Sequence, residues 1–153
     1  MSSPRATPTY ELRSAKQEDA DFLWDLRQQA MRAHVEKTWG KWDEAQQRKF
    51  FDRGFVPRET RIIMVDGQPA GRLDVSRARL EFFLGIIELL PAVQGRGLGA
   101  AVVGDLQAEA RTKRVPIRLQ LIKSNDAAQR LYERLGFKLS GETKTHLLML
   151  WEP

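Results

Sequence analysis

The sequence predicts an α/β domain, one mixed central β-sheet flanked by about four helices, and three observations carry that prediction. The chain has 153 residues, room for one domain and not two of ordinary size. Apolar residues make up 42% and charged residues 29%, which fills one core and argues against wholesale disorder. Short β-rich runs alternate with amphipathic helical stretches in the order βαα-ββ-βα-βα-ββ, with no internal repeat.

Residues 1–9 carry two prolines and small polar residues and read as a flexible leader to a domain spanning 10–153. Tyr10 to Arg13 alternates apolar and polar, as a short strand does. Ser14 and Gln17 have the spacing of a capping box, and the helix beyond aligns Phe22, Leu26 and Ala30, with Leu23 beside them. A second helix is expected from Asp43 to Phe51, before Gly54 and Pro57. Arg61–Val65, the Asp66-Gly67 turn and Ala70–Val75 form a hairpin. Phe82 to Leu90 is a longer strand stopped at Pro91. A glycine-rich turn, Gln94 to Gly99, opens a helix with the stripe Leu98, Val102, Leu106 and Ala110. Val115–Ile122 is a strand, Asp126–Leu135 a helix closed by Gly136, and Leu147–Trp151 a last strand.

Composition narrows the chemistry. There is no cysteine, hence no disulfide, cysteine-ligated zinc, iron–sulfur cluster or thiol nucleophile. Two histidines far apart, His34 and His146, make a histidine-rich metal site a poor expectation, and no metal is expected. The apolar runs fall short of the ~20 residues a membrane span needs, and the opening MSSPRATPTYELR is no signal peptide, so a cytoplasmic address is expected. The net charge is +5, but the basic residues are scattered. Groups such as Arg111-Thr112-Lys113-Arg114 read as a solvated face rather than a nucleic-acid surface.

The strongest local feature is Pro91-Ala-Val-Gln94-Gly95-Arg96-Gly97-Leu98-Gly99, between a strand and a helix. A helix start presents unpaired amides and partial positive charge. Glycines let an anion come close, and Arg96 adds a full charge, which together describe a pyrophosphate cradle. Gly95-x-Gly97-x-x-Ala100 also satisfies the dinucleotide pattern. That reading expects an acid about 20 residues on, and Ile117–Lys123 holds none. No GxxxxGK[ST] loop is present. A glycine-rich turn with no ligand remains an alternative. The second constellation is Asn125-Asp-Ala-Ala128-Gln-Arg-Leu131-Tyr132-Glu-Arg-Leu135-Gly136-Phe137. Asn125 stands at a helix mouth, and Tyr132 is one of two tyrosines, with a phenol able to protonate a thiolate. Their plain readings are a helix cap and a core residue.

The two motifs together resemble those of the GNAT superfamily of N-acetyltransferases. Gln94-x-x-Gly97-x-Gly99 is similar to that family's Q/R-x-x-G-x-G/A loop, and Asn125 to Phe137 to its second signature. The resemblance is sharp from Glu88 to Phe137 and looser over 10–75. It implies a single-domain GNAT-like fold, splayed at the cofactor site, and direct acetyl transfer from acetyl-CoA to a primary amine, with coenzyme A as product. On that resemblance Gln94, Gly95, Arg96, Gly97, Leu98 and Gly99 hold the pyrophosphate. Leu89 and Leu90 pair with pantetheine through their main chains, the Leu89 amide also meeting the oxyanion. Asn125 contacts the pantetheine arm, Ala128 leaves room for it, and Tyr132 faces the sulfur.

The chemistry also asks for a base to free the amine, and Glu88 is the leading candidate, an outward-pointing strand residue being the alternative. His34, Glu36, Trp39 and Trp42, expected between the first two helices, are the candidate wall of the acceptor site, as the resemblance places it. His146 receives no role. The expected partner is a small-molecule or peptide amine, with no nucleic acid and no membrane, in a monomer or homodimer. The main competing reading is a catalytically silent coenzyme A-binding module. An NAD(P) oxidoreductase would leave Asn125 and Tyr132 unexplained, and a basic nucleic-acid-binding domain would show steep salt dependence.

Overall fold

A computed structural model describes residues 6–153. Seven strands, Glu11–Ser14 (β1), Thr60–Val65 (β2), Gln68–Arg77 (β3), Phe82–Leu89 (β4), Ile117–Ile122 (β5), Lys138–Glu142 (β6) and His146–Trp151 (β7), form one sheet. Its order is β1-β2-β3-β4-β5-β7-β6, antiparallel throughout except between β4 and β5. Four helices flank it: Ala20–Trp39 (α1), Glu44–Gly54 (α2), Leu98–Lys113 (α3) and Asp126–Arg134 (α4). This is the α/β class and the mixed, four-helix sheet expected. The leader expected over 1–9 lies outside the described residues from 1 to 5, and residues 6–9 form no regular element.

The period of two along β2 shows how the layers form. Ile62 and Ile63 are adjacent and both fully buried, yet they belong to different cores. Ile62 packs with Leu23, Trp24 and Leu26 of α1 and Phe51 of α2. Ile63 packs with Leu98, Val102 and Leu106 of α3 and Tyr132 of α4. Helices therefore cover both faces, and a side chain's face decides which helix pair it meets.

Several local expectations are corrected. Ser14 does not cap a helix; it ends β1, and the Asp19 carboxylate accepts from the Lys16 amide at 2.8 Å instead. α1 runs on to Trp39, because no breaker occurs before Gly40, whose φ of +88° ends it. The stretch expected to join two helices is thus largely α1 itself. Asp43 caps α2, accepting from Gln46 N at 3.1 Å. Val115 does not begin β5; Arg114 (φ +57°) closes α3, and the Val115 amide donates to Ala110 O.

The sheet opens at its centre. The parallel pairing runs Phe82↔Ile117, Phe83↔Arg118 and Leu84↔Leu119, then stops. On the other side of β4 the register jumps, with Asp74 opposite Ile86 and Val75 opposite Leu84, so Gly85 is the extra residue of a bulge. A bulge bends its strand and raises the local twist. β4 thus leaves β5 where it bulges against β3, and a wedge-shaped gap opens between Ile86–Leu89 and Gln120–Ile122.

Candidate active site

The gap is lined by main chain before any side chain. Leu90 N donates to Ala70 O at 2.8 Å, which makes Leu90 and Ala70 a hydrogen-bonded pair and Leu89↔Gly71 a non-bonded one. The Leu89 N–H and C=O therefore point away from β3, into the gap. Its carbonyl accepts from Gln94 Nε2 at 2.9 Å, and its amide remains free for a ligand. Leu90, expected beside it as a pantetheine partner, donates its N–H to β3 and accepts at its carbonyl from Val93 N.

The Gln94–Gly99 loop follows a 3-10 turn at Pro91–Val93, and Gln94 spans the loop's base through that bond to Leu89. Gly95 and Gly97 take φ of +73° and +81°, where a side chain is strained. Ala101 N donates to Gly97 O as the first helical bond, and among the described residues the amides of Gly95 to Ala100 have no acceptor. Arg96 Nε is buried with no partner. Open amides at a helix start beside an orphaned guanidinium nitrogen fit a diphosphate. Gly95 and Gly99 leave room for one: a Cβ on Gly95 meets nothing, and one on Gly99 makes only ordinary contacts. The Leu98 side chain is buried in the core, so only its amide can serve the cradle. Thr7 was not anticipated here. Its Oγ1 lies 2.8 Å from where a Cβ on Gly97 would stand, and Tyr10 donates to Asp105 on α3 behind it. Burial and Asp105 together raise the Tyr10 pKa well above the phenol's ordinary value.

A cavity of about 260 Å³ fills the gap, lined by Ile87, Glu88, Ile122, Asn125, Ala128 and Tyr132 among others. Asn125 Oδ1 accepts from Ala128 N at 3.2 Å, so it caps α4 and lines the cavity at once, with its amide nitrogen left as a donor. Tyr132 packs edge-on against Phe137 with centroids 5.5 Å apart. Burial pushes its pKa up to about 12, keeping the phenol protonated through the neutral range. Glu88 is buried under α1, where Arg27 Nη1 donates to its Oε2 at 3.0 Å; Oε1 is buried without a partner.

A second cavity of about 500 Å³ adjoins the first, sharing Arg27, Met31, Ile122 and His146 with it. Trp39 lines this one. The other expected acceptor residues do not. His34 Nδ1 shares a hydrogen bond with Ser124 Oγ at 2.9 Å, steadying the turn before Asn125. Glu36 is exposed and accepts from Arg32 one helical turn away. Trp42 lies past the Gly40 turn and stacks on Trp24, 6.0 Å between centroids, in the α1–α2 core. Helical phase separates His34, Glu36 and Trp39 on α1, and the Gly40 turn sets Trp42 apart; spacing alone cannot show which face the core takes.

Sequence reasoning missed Arg27, Gly71, Phe50 and His146. A Cβ on Gly71 would stand 2.5 Å from Glu88 O and 2.8 Å from Leu89 Cδ2, so only glycine lets β3 approach the reactive stretch of β4. A glycine inside a strand was the available signal. His146 lines both cavities, with Nδ1 2.8 Å from Thr145 Oγ1. Nothing local marked Arg27 or Phe50.

Comparison with known proteins bears on this geometry. No curated protein matches the sequence. Among solved structures, the chain resembles a PaiA N-acetyltransferase from Thermoplasma acidophilum in complex with coenzyme A, at 14% identity and TM-score 0.75, over 95% of this chain and 99% of that one. It also resembles a ribosomal-protein-alanine N-acetyltransferase from Escherichia coli, at 23% identity and TM-score 0.68, over 94% of each chain. A third is Naa50 of Arabidopsis thaliana in complex with a bisubstrate analogue, at 11% identity and TM-score 0.64, over 94% of this chain and 99% of that one. At such identities these likenesses establish the fold. The family model for GNAT acetyltransferases matches residues 20–137, most of the chain and all of both motifs, and the chain belongs to that family of acetyl-CoA-dependent N-acetyltransferases.

Proposed function

We propose that this enzyme transfers acetyl directly from acetyl-CoA to a primary amine, with no covalent enzyme intermediate. The observation that carries this reading is the opening between β4 and β5. A free Leu89 amide there sits between a cradle of unpartnered amides at Gly95–Ala100 and the Tyr132 phenol. The cradle and Arg96 hold the diphosphate, and the pantetheine arm lies along the gap as a substitute strand, touching Asn125 and passing Ala128. The Leu89 amide is preorganised toward the oxygen that gains charge when the amine adds to the acetyl carbon. As the C–S bond breaks, Tyr132 supplies the proton that the departing sulfur needs. An ammonium loses two protons on its way to becoming an amide: Glu88 Oε1 takes the one whose loss frees the lone pair, and the second, released once the C–N bond has formed, restores the Tyr132 phenol. Likeness to a structure holding coenzyme A and to N-acetyltransferases acting on a protein supports the cofactor and the amine class.

Calorimetric titration with acetyl-CoA, with NADH and NADPH as controls, tests the binding half. Thiol release in the presence of amines tests the transfer. Micromolar binding of acetyl-CoA alone with amine-dependent thiol release is expected. Binding without release from any amine would make this a silent coenzyme A-binding module.

A further inference from the structure

Five large apolar side chains are exposed among the described residues, and two of them, Trp39 at 57% and Phe50 at 52%, line one cavity. They come from different helices, α1 and α2, and Met31, Val35 and Ile122 contribute to the same lining. Exposed aromatics facing a common cavity mark a ligand surface more than a packing defect. This cavity is continuous with the one holding Tyr132 and Glu88, through Arg27, Met31, Ile122 and His146.

The charges around it are selective. Glu88 Oε1, buried and unpartnered at the inner end, suits one ammonium group. Lys41 stands farther out as a cation, Arg27 lies at the junction of the two cavities with Glu88 Oε2 on its Nη1, and the carboxylate at the mouth, Asp43, caps α2. A second positive charge on the substrate would meet these cations. An apolar ring or chain would instead enter between Trp39 and Phe50 and release the water those faces now hold.

We infer that the acceptor is a monocationic primary amine joined by a short linker to a bulky apolar group, which the Trp39–Phe50 mouth receives while the amine reaches Glu88. This rests on the acetyl-transfer reading above for the identity of the site, and its test has an arm that does not depend on turnover. In the kinetic arm, 2-phenylethylamine, ethylamine, spermidine and phenylalanyl-glycinamide are compared as acceptors. The phenyl-bearing amines should exceed ethylamine and spermidine in kcat/KM by tenfold or more. Whichever phenyl compound is better tells whether the source is a free amine or a peptide terminus. Trp39→Ala and Phe50→Ala should each raise KM for 2-phenylethylamine at least fivefold with kcat within twofold, whereas Leu139→Ala, which removes an exposed apolar group elsewhere, should change neither. A preference for spermidine, or a KM unmoved by both aromatic variants, overturns the inference. In the binding arm, 2-phenylethylamine is titrated calorimetrically into the protein with and without coenzyme A. Saturable binding that Trp39→Ala weakens at least fivefold sustains the inference even where no amine is acetylated, a result that would sink only the transfer reading. Absence of binding in both titrations overturns it whatever the turnover.

Discussion

Arg27 on α1 and Glu88 on β4 form an ion pair, Nη1 to Oε2 at 3.0 Å, that satisfies one carboxylate oxygen and leaves the other buried and bare. The bare oxygen is the place where a proton can be received. If Glu88 is the base, its two neighbouring variants have different signatures. Glu88→Gln should lower kcat/KM about 100-fold and remove the acidic limb of the pH–rate profile. Arg27→Ala should keep that limb and lower kcat/KM less, since it removes the ion pair that orients the carboxylate and leaves the carboxylate itself. An acidic limb that Glu88→Gln leaves in place assigns the proton to another acceptor.

Tyr132→Phe separates chemistry from binding. Loss of the phenolic proton should reduce kcat by about 100-fold while the acetyl-CoA dissociation constant stays within about threefold. Rapid-quench kinetics with saturating amine, beside calorimetry, measure the two quantities. Equal kcat in the variant removes the acid from Tyr132.

The same phenol makes stability depend on alkaline pH, with a definite sign. Its pKa is about 12 in the folded protein against about 10 unfolded, so the unfolded chain loses this proton first as pH rises. The stabilisation is complete below pH 10 and is lost on the way to pH 12, by roughly 2 kcal/mol. Tyr10 is raised as well, so the wild type alone cannot isolate the effect. Urea denaturation at pH 9 and pH 11.5 should show a smaller alkaline loss in Tyr132→Phe than in the wild type. Parallel losses would mean that Tyr132 is hydrated in the folded protein.

Arg96→Ala should weaken acetyl-CoA binding by about 10- to 100-fold, the range for losing one charge-assisted hydrogen bond. Because Arg96 Nε has no protein partner, folding stability should change by less than about 0.5 kcal/mol. Calorimetry at two salt concentrations and a thermal melt check both halves. An unaltered dissociation constant puts the diphosphate elsewhere.

Gly71→Ala places a methyl group against Glu88 O and the Leu89 side chain, and β4 must move away. The cost should be about 1–3 kcal/mol in stability, with kcat falling more than acetyl-CoA affinity, since the displaced stretch carries the proposed base and oxyanion donor rather than the cradle. Gly85→Ala is the contrast, because an added Cβ there makes ordinary contacts at 3.6 Å and beyond and should be tolerated. Equal damage from the two substitutions would contradict the steric argument.

What could be read in the sequence was what short-range chemistry encodes. The Gly95 and Gly97 turn, the Asn125 cap and the Gly136 stop each depend on a few neighbouring residues, and they led to the cradle and to α4. The splay was foreseen only through family resemblance. Its cause is the bulge at Gly85, a mismatch of register between β3 and β4 that neither strand carries alone. The acceptor side was the least legible. His34, Glu36, Trp39 and Trp42 are close in sequence, but α1 runs to Trp39 and the Gly40 turn carries Trp42 away, so they reach four surroundings: a loop hydroxyl, solvent, a cavity and the core. Arg27 meets Glu88 across 61 positions, and Gly71 meets it through sheet pairing.

The gap between β4 and β5 has a consequence for how the protein keeps itself. It is a strand edge inside a sheet, where the inward-facing groups of Ile87 and Leu89 are unanswered by β5. Exposed edges invite other chains to pair, and most proteins blunt theirs with charges, prolines or covering loops. On the proposed reading, the cover here is the acetyl donor. A ligand present at 100 times its dissociation constant adds about 2.7 kcal/mol to folding stability, a sizeable part of what a domain has. Hydrogen exchange at Leu89 should therefore slow when acetyl-CoA binds, and the lifetime of the enzyme should follow the supply of its own acetyl donor.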